Sequence, residues 1–301
     1  MENHKSKNQN HRITPKKSLG QHFIKNPRIL GKIVSLIDPS KNDTILEIGC
    51  GQADLTLLIA KKAGSVIAVE TDRVLADMAS RKLRECDNCT VIEGDFLKID
   101  IAALINKNID KSMDNNINTN LEAGKKIRAA GNIPYNISSQ IIFRLFEHRD
   151  KISDITFLLQ KEMADRITAP PGSRKCGYLT IALDMFFESK RLYNISGGSF
   201  IPPAKVDSTL IRLSSRSAPK VNVSNEEDFL AMIKTCFLHR RKTLKNNLKY
   251  YFKDFSDRSI SEEEFDEIAD TSGISLASRP EELDIFQFKK IYDILKKIQK
   301  G

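Results

Sequence analysis

Apolar residues in the first third of the chain change their spacing several times, and each change predicts a new element. Within residues 26–37 the apolar side chains recur at helical intervals, and two shorter helical patterns occupy residues 55–62 and 73–83. Short β-rich runs lie between the helical patterns, at residues 44–48, 65–70 and 90–93. This β-α-β-α-β order requires helical crossovers, so it predicts a parallel sheet covered on both faces.

The alternation is interrupted by residues 106–126, which are rich in Asn, Lys and Asp and poor in apolar side chains. Such a composition predicts a solvated insertion loop. Strand patterns resume at residues 127–130, 155–160 and 206–213. One helical pattern begins after residue 135 and ends at residue 146, and two others cover residues 162–167 and 179–187. We therefore expect one α/β domain over residues 18–215.

The last third of the chain has helical spacing throughout, which predicts a small all-helical domain over residues 216–301. Its helical patterns lie at residues 226–237, 240–251, 261–270 and 281–298. At the opposite end, residues 1–17 hold five Lys or Arg side chains and a single acid, Glu2. They are expected to form a basic, flexible tail that is attracted to phosphates.

The chain of 301 residues has a formal net charge of +9, although its hydrophobic fraction of 40% is that of an ordinary globular protein. Excess positive charge is typical of proteins that bind nucleic acid, and it is also one way to keep a surface soluble. Composition alone leaves both interpretations open.

The five cysteines do not suggest a disulfide framework or a metal site. Their number is odd, and the one CxxC pair, Cys86 and Cys89, has no second ligand pair at a suitable spacing. The chain also has no apolar stretch of the length that a membrane helix needs, and its first residues do not resemble a signal peptide. The sequence therefore predicts a cytoplasmic protein with no bound metal.

Polar or glycine-rich motifs follow three consecutive predicted strands. A Gly-Cys-Gly turn at 49–51 ends the first strand, Glu70 ends the second, and Asp95 and Phe96 follow the third. Glycines allow close approach of the backbone to a ligand, and an acid about 20 residues later can bond ribose hydroxyls. Asp95 can accept the amino group of an adenine that Phe96 covers. Each motif alone could be a tight turn, but together they indicate a cofactor with a ribose and an adenine.

NAD is the obvious competitor of S-adenosylmethionine among cofactors with these groups. The NAD fingerprint needs a third glycine beside the pyrophosphate, and this chain has Asp54 there, which would repel it. A cationic sulfonium cofactor without phosphates avoids that repulsion. The sequence therefore favours S-adenosylmethionine.

The fourth predicted strand leads into Asn132-Ile133-Pro134-Tyr135. The amide oxygen of Asn132 and a main-chain carbonyl, of Ile133 or Pro134, can accept both hydrogens of an adenine amino group. They would aim its nitrogen lone pair at a methyl donor. Pro134 makes the turn rigid, and Tyr135 offers a face on which an extruded base can stack. The alternative is a proline-containing loop with a buried tyrosine.

These motifs, with others along the chain, resemble the ribosomal RNA adenine N6,N6-dimethyltransferase family from about residue 16 to the C-terminus, except for the insertion. In chain order they are GQHFIKN, ILEIGCGQADLT, VIAVETD, EGDFL, GNIPYNISSQI, FIPPAKVDSTLIRL and FLHRRKTLKNNL. The resemblance implies a Rossmann-like class I methyltransferase domain with a seven-stranded, mostly parallel sheet, followed by a small all-helical C-terminal domain that binds RNA.

The resemblance also implies residue roles. Cofactor contacts are expected at His22, Ile24, Gly49, Glu70, Asp95 and Asn132. Asn132, Pro134, Tyr135 and Phe200 are expected to handle the base, with Phe200 completing an aromatic sandwich opposite Tyr135. Two positions depart from the commoner pattern. His22 replaces an Asn, which opens a ring or backbone contact to the cofactor, and Cys50 replaces a Pro.

Within this family the run at 240–248 and the segment PPAKVD at 202–207 resemble the KsgA (RsmA) type rather than the Erm type. That type implies dimethylation of two adjacent adenosines in the 3′-terminal hairpin of small-subunit (16S) rRNA, on an immature 30S particle. Nothing in the sequence demands a dimer, so a monomer is expected. Five cations, at 240–242, 245 and 249, were expected to lie on one helix and contact phosphates. The alternative is an assembly factor that binds RNA and for which methylation is dispensable.

Overall fold

The computed structural model describes residues 21–105, 126–255 and 259–299. The predicted basic tail and nearly all of the predicted insertion loop lie outside these ranges. The strands are β1 (Phe23–Ile24), β2 (Thr44–Ile48), β3 (Ser65–Glu70), β4 (Cys89–Glu93), β5 (Ile127–Asn132), β6 (Ile152–Gln160), β7 (Phe187–Ile195), β8 (Phe200–Ile201) and β9 (Ser208–Ser215).

Helices cover both faces of the sheet and form the C-terminal part of the chain. They are α1 (Pro27–Ile37), α2 (Asp54–Ala60), α3 (Arg73–Lys82), α4 (Ser138–Glu147), α5 (Lys161–Ile167), α6 (Tyr178–Phe186), α7 (Glu226–Leu238), α8 (Leu244–Phe255), α9 (Glu262–Ser272) and α10 (Ile285–Ile298). Several begin at side-chain caps that the sequence contains, such as Asn26 before α1, Asp72 before α3 and Ser261 before α9.

Seven of the strands form one sheet in the order β4-β3-β2-β5-β6-β9-β7. Neighbours from β4 to β6 run parallel, whereas β9 is antiparallel to both β6 and β7. The seven-stranded, mostly parallel sheet that the family resemblance implied is therefore confirmed. Because β2, β3, β4 and β5 are parallel, their carboxyl ends meet at one edge, where all the predicted cofactor motifs lie.

The edge strand β7 was missed by the sequence analysis. Its residues 188–191 are exposed and mostly charged, so they hide the alternation that marks a half-buried strand. Phe187, predicted to end a helix, is instead the first residue of β7. The short antiparallel pairing of β1 with β8 was also not predicted.

Two of the predicted C-terminal helices start later than expected. Residues 240–243 form a turn, and α8 begins only at Leu244. Residues 281–284 likewise precede α10, which begins at Ile285 after a short 3-10 turn. The placement of residues 240–242 on a helix was therefore wrong.

The hydrophobic core continues from the sheet into the C-terminal helices. Helix α7 packs on α6, and buried residues of both belong to one cluster that also contains residues of β5 and β6. The connecting segment is tied down, because Arg216 and Lys220 donate main-chain hydrogen bonds to Phe186 and Met185. The division into two domains stays a prediction. Among the described residues, no helix has the length and apolar character needed to span a membrane.

One carboxyl group is enclosed in the core below the glycine turn. Glu47, on β2, is 1% exposed, and within the described residues its Oε2 has no hydrogen-bond partner. Burial raises the pKa of Glu47 to about 8, and the nearby charge of Glu70 adds to this effect. Glu47 is therefore mostly protonated in the folded protein at neutral pH.

This buried carboxyl group makes folding depend on pH. In the unfolded chain Glu47 loses its proton near pH 4.5, but in the folded protein it does so near pH 8. Its stabilising contribution is thus complete below pH 4.5 and is lost as the pH rises to 8. We predict that the free energy of unfolding, relative to that of Glu47→Gln, falls by up to about 1.4 kcal/mol per pH unit between pH 5 and 8.

Urea unfolding at several pH values measures this difference. Glu188→Gln is the control, because the Glu188 side chain is 61% exposed on β7, and this variant should keep the pH profile of the wild type. Parallel profiles for the wild type and Glu47→Gln would show that Glu47 does not titrate in this range.

Candidate active site

The turn after β2 forms the floor of the site. Gly49 and Gly51 both have positive φ angles, of 73° and 56°. A Cβ atom on Gly51 would lie 3.0 Å from the ring of Phe23, so a larger residue would push the turn off that ring. The turn therefore depends on glycine both for its backbone angles and for its packing.

Glu70, at the end of β3, holds this turn in place. Its Oε2 accepts a hydrogen bond from the Gly51 amide at 2.8 Å, and its Oε1 accepts one from the Asp72 amide at 2.9 Å. The carboxyl group is 6% exposed, and burial raises its pKa. Each carboxylate oxygen can accept a further hydrogen bond, so ribose hydroxyls can still bond to Glu70.

Asp95 and Phe96 follow β4 on the same edge. Asp95 Oδ1 accepts a hydrogen bond from the Leu97 amide at 3.0 Å, while the side chain remains 39% exposed. Phe96 is buried. The loop is joined to the neighbouring strand because the Gly94 amide donates to the Glu70 carbonyl at 2.8 Å.

Asn132 is the last residue of β5, and its side-chain orientation is fixed. Its Nδ2 donates a hydrogen bond to the main-chain carbonyl of His22 at 2.7 Å. A carbonyl can only accept, so the amide nitrogen must face His22, and Oδ1 remains the acceptor of this side chain. Gly131, the residue before Asn132, allows β5 to lie close to β2, because a Cβ atom on Gly131 would lie 2.5 Å from the Ile48 carbonyl oxygen.

Tyr135 lies in a short 3-10 turn after Pro134 and is partly buried. The His22 imidazole stacks on its ring, with the ring centroids 5.5 Å apart and the planes 23° from parallel. His22 also contacts the Phe200 ring edge-on at 6.4 Å, and its Nδ1 lies 2.9 Å from the Pro202 carbonyl oxygen. His22 therefore contacts both aromatic residues that were expected to enclose a base.

Most of the predicted site residues line one cavity of about 240 Å³ at this edge of the sheet. They are His22, Gly49, Glu70, Asp95, Asn132, Pro134 and Tyr135. Ile24 does not line this cavity; it lies in an adjoining cavity of about 50 Å³ under the glycine turn. Phe200 is 1% exposed and is not among the described residues that line this cavity, but its ring contacts that of His22.

Two contributors to the site were missed by the sequence analysis. Phe23 packs under Gly51, and the buried hydroxyl group of Ser208 lies 2.8 Å from that of Tyr135. Ser208 stands in the quoted run FIPPAKVDSTLIRL, but no residue spacing links it to Tyr135, which lies 73 positions earlier.

The described residues that line the large cavity fit an adenosine cofactor without phosphates. They include two carboxyl groups, of Glu70 and Asp95, and no Lys or Arg that could neutralise a pyrophosphate. The sequence argument that Asp54 would repel the pyrophosphate of NAD is weakened by the structure, because Lys25 and Lys82 both form ion pairs with this carboxylate. The acidic lining favours a cationic ligand such as S-adenosylmethionine.

Comparison with known proteins agrees with this geometry. A family model described as ribosomal RNA adenine dimethylase matches residues 12–291. Ribosomal RNA small subunit methyltransferase A of Natranaerobius thermophilus is 33% identical over 289 residues, which cover 94% of this chain and 92% of the relative. The protein of the same name from Syntrophus aciditrophicus is 36% identical and covers 95% and 96%.

Solved structures show the same fold. A dimethyladenosine transferase from Plasmodium falciparum aligns with a TM-score of 0.73 and 26% identity, over 92% of this chain and 99% of that one. The 23S rRNA methyltransferase ErmE aligns with a TM-score of 0.65 and 22% identity, over 91% and 99%, and supports the fold alone. This chain therefore belongs to the ribosomal RNA adenine dimethylase family, enzymes that dimethylate rRNA adenines with S-adenosylmethionine.

Proposed function

We propose that this protein dimethylates N6 of two adjacent adenosines in the 3′-terminal hairpin of small-subunit (16S) rRNA. The observation that carries the proposal is the fixed amide of Asn132, whose nitrogen bonds to His22 and whose oxygen remains to accept a hydrogen bond. An adenine amino group is the complementary donor. Eight of the matching relatives, among them the two described above, all have the name ribosomal RNA small subunit methyltransferase A, which supports small-subunit rRNA as the target.

In this proposal the chain activates N6 by orientation. The N6 lone pair is delocalised into the adenine ring, so the amino group is a weak nucleophile. Asn132 Oδ1 and a main-chain carbonyl accept its hydrogens and favour a pyramidal nitrogen whose lone pair is no longer delocalised. We assign the second acceptor to Ile133, because the Ile137 amide at 3.3 Å already occupies one of the two lone pairs of the Pro134 carbonyl and crowds that oxygen.

S-adenosylmethionine supplies an electrophilic methyl group when it is bound. We propose that Glu70 holds its ribose, that Asp95 accepts from its adenine amino group, and that the Gly49 turn and Asn132 border its methionyl end. Ile24, on β1, and His22, which precedes β1, complete this end, His22 through its main chain. No strong base is needed among the described side chains, because a nitrogen that carries positive charge readily loses its proton to water.

The target base is proposed to stack on Tyr135, with Pro134 keeping the turn rigid. Phe200 would close the opposite side. Because the His22 ring lies against both aromatic residues in the structure, a base that enters between them must displace it. Stacking on such a face is worth about 1–3 kcal/mol per base.

A basic turn at residues 240–242 is the proposed contact for rRNA phosphates. Arg240 is partly engaged, since its Nη2 donates to the Arg174 carbonyl at 2.5 Å and its Nε lies 3.8 Å from Glu281. Arg241 and Lys242 are exposed. The helix that follows contributes less charge than the sequence suggested, because Lys245 and Lys249 both pair with Glu262.

The proposal extends to the cellular setting. We infer a cytoplasmic monomer that acts on an immature 30S particle and contributes to small-subunit biogenesis, with the helices after residue 216 as its RNA-binding part. The net charge of +9 supports a polyanionic partner of this kind.

We predict that Asn132→Ala abolishes methyl transfer, because N6 then loses the acceptor that directs its lone pair. RNA affinity should change little, since phosphate contacts supply most of it. The assay uses labelled cofactor with undermethylated 30S particles or 50S precursors, and primer extension maps the modified adenosines.

Asn136→Ala is the matched control and should stay active, because Asn136 is exposed and lies four residues later, in the 3-10 turn that follows Pro134. Normal formation of dimethyladenosine by Asn132→Ala would refute the role of the amide. Primer-extension stops found only in large-subunit rRNA would refute the small-subunit target, but they would leave the proposed dimethylation of adenine N6 intact.

We also predict that Arg241→Ala weakens RNA binding at every sequence and lowers the slope of log K against log salt concentration by about 1. Lys245→Ala is the matched control, because Lys245 is already paired with Glu262 and should change the slope less. Filter binding to a small-subunit rRNA fragment at several salt concentrations measures both. Equal slopes for Arg241→Ala and the wild type would remove the basic turn from the interface.

A further inference from the structure

The hydroxyl group of Tyr135 has a partner inside the protein. Its Oη lies 2.8 Å from the Oγ of Ser208, a hydrogen-bond distance in which either hydroxyl can be the donor. Ser208 is fully buried, whereas Tyr135 is partly exposed to the cavity. The hydroxyl end of the Tyr135 side chain is therefore anchored in the protein by Ser208, while the ring is partly exposed to the cavity.

The anchor belongs to a rigid part of the sheet. Ser208 is the first residue of β9 and is paired on both sides, with Gln160 of β6 and with Ile195 of β7. Tyr135, by contrast, starts a 3-10 turn of three residues that has no side-chain cap. Because the turn sets the backbone of Tyr135 and not its side-chain torsions, the orientation of the ring depends on its tertiary contacts.

Two tertiary contacts of the Tyr135 side chain differ in kind. His22 stacks on the ring, and a base that takes its place would remove this contact. The bond to Ser208 lies at the other end of the side chain, so it persists when a base is stacked. Of these two contacts, the one with Ser208 can therefore still hold the end of the ring during the reaction.

We infer that Ser208 is a positioning residue, which holds the Tyr135 ring so that a stacked adenine presents N6 to Asn132 Oδ1. This inference rests on the proposed function. A ring without its anchor still offers a stacking face, but it can tilt and carry the base with it. Small misplacements of reacting groups lower turnover more than they lower binding. Ser208 should thus affect kcat rather than the KM for the cofactor.

A purely structural role for Ser208 makes a different prediction. A buried hydroxyl that only satisfies the core would lower stability when removed and would leave the chemistry of the folded enzyme unchanged. Thr209 provides the matched control, because it is the next residue of β9, is fully buried and donates its Oγ1 to Asn194 Oδ1 at 2.8 Å. Its side chain points to the opposite face of the sheet from Ser208.

The test is a double-mutant cycle with Ser208→Ala, Tyr135→Phe and the combined variant, measured as kcat and as KM for S-adenosylmethionine. Each single substitution should lower kcat about threefold to tenfold, the range that one hydrogen bond accounts for. The combined variant should be no slower than the slower single variant, because both changes remove the same bond. KM for the cofactor should stay unchanged, and Thr209→Val should keep the wild-type kcat.

Wild-type kcat in Tyr135→Phe overturns the inference, and so do losses that multiply in the combined variant. Tyr135→Phe decides the matter even if Ser208→Ala fails to fold, because it removes the same bond from the partly exposed side. A wild type that methylates no rRNA adenine refutes the proposed function as well. An active wild type with an equally active Tyr135→Phe refutes the inference alone.

Discussion

The hydrogen bond from the Asn132 amide to the His22 carbonyl is the interaction on which the site depends. It joins the end of β5 to the segment that precedes β1, and it decides which atom of the amide is presented to a ligand. Without it, the amide could rotate and offer a donor to an amino group that is itself a donor. The geometry therefore presents an acceptor, Oδ1, and the proposed function uses this atom to hold an adenine N6.

The rest of the site is arranged around this bond. Antiparallel pairing of Phe23 and Ile24 with Ile201 and Phe200 brings the His22 carbonyl over the end of β5, and Gly131 allows β5 to approach the β2 edge closely. Glu70 ties the glycine turn to β3. The residues proposed to bind the cofactor and those proposed to bind the base thus lie on one sheet edge, as the proposed methyl transfer requires.

Much of this could be predicted from the sequence, because parallel strands carry short-range signals. Apolar runs located β2 to β5, and their parallel order brought Gly49, Glu70, Asp95 and Asn132 to one edge. Strand β7 was not predicted because its exposed edge residues are mostly charged. The stacking of His22 on Tyr135 and the bond between Ser208 and Tyr135 could not be predicted, because they join segments that are distant in sequence and share no pattern. The basic run at 240–242 was identified but placed on a helix, since its turn depends on packing rather than on periodicity.

A crystal structure with S-adenosylhomocysteine and an RNA hairpin that contains the target adenosine tests the central claim most directly. The account predicts that Asn132 Nδ2 keeps its bond to the His22 carbonyl while Oδ1 lies about 3 Å from the adenine N6. An amide whose oxygen faces away from N6, with the base held by other groups, would contradict it.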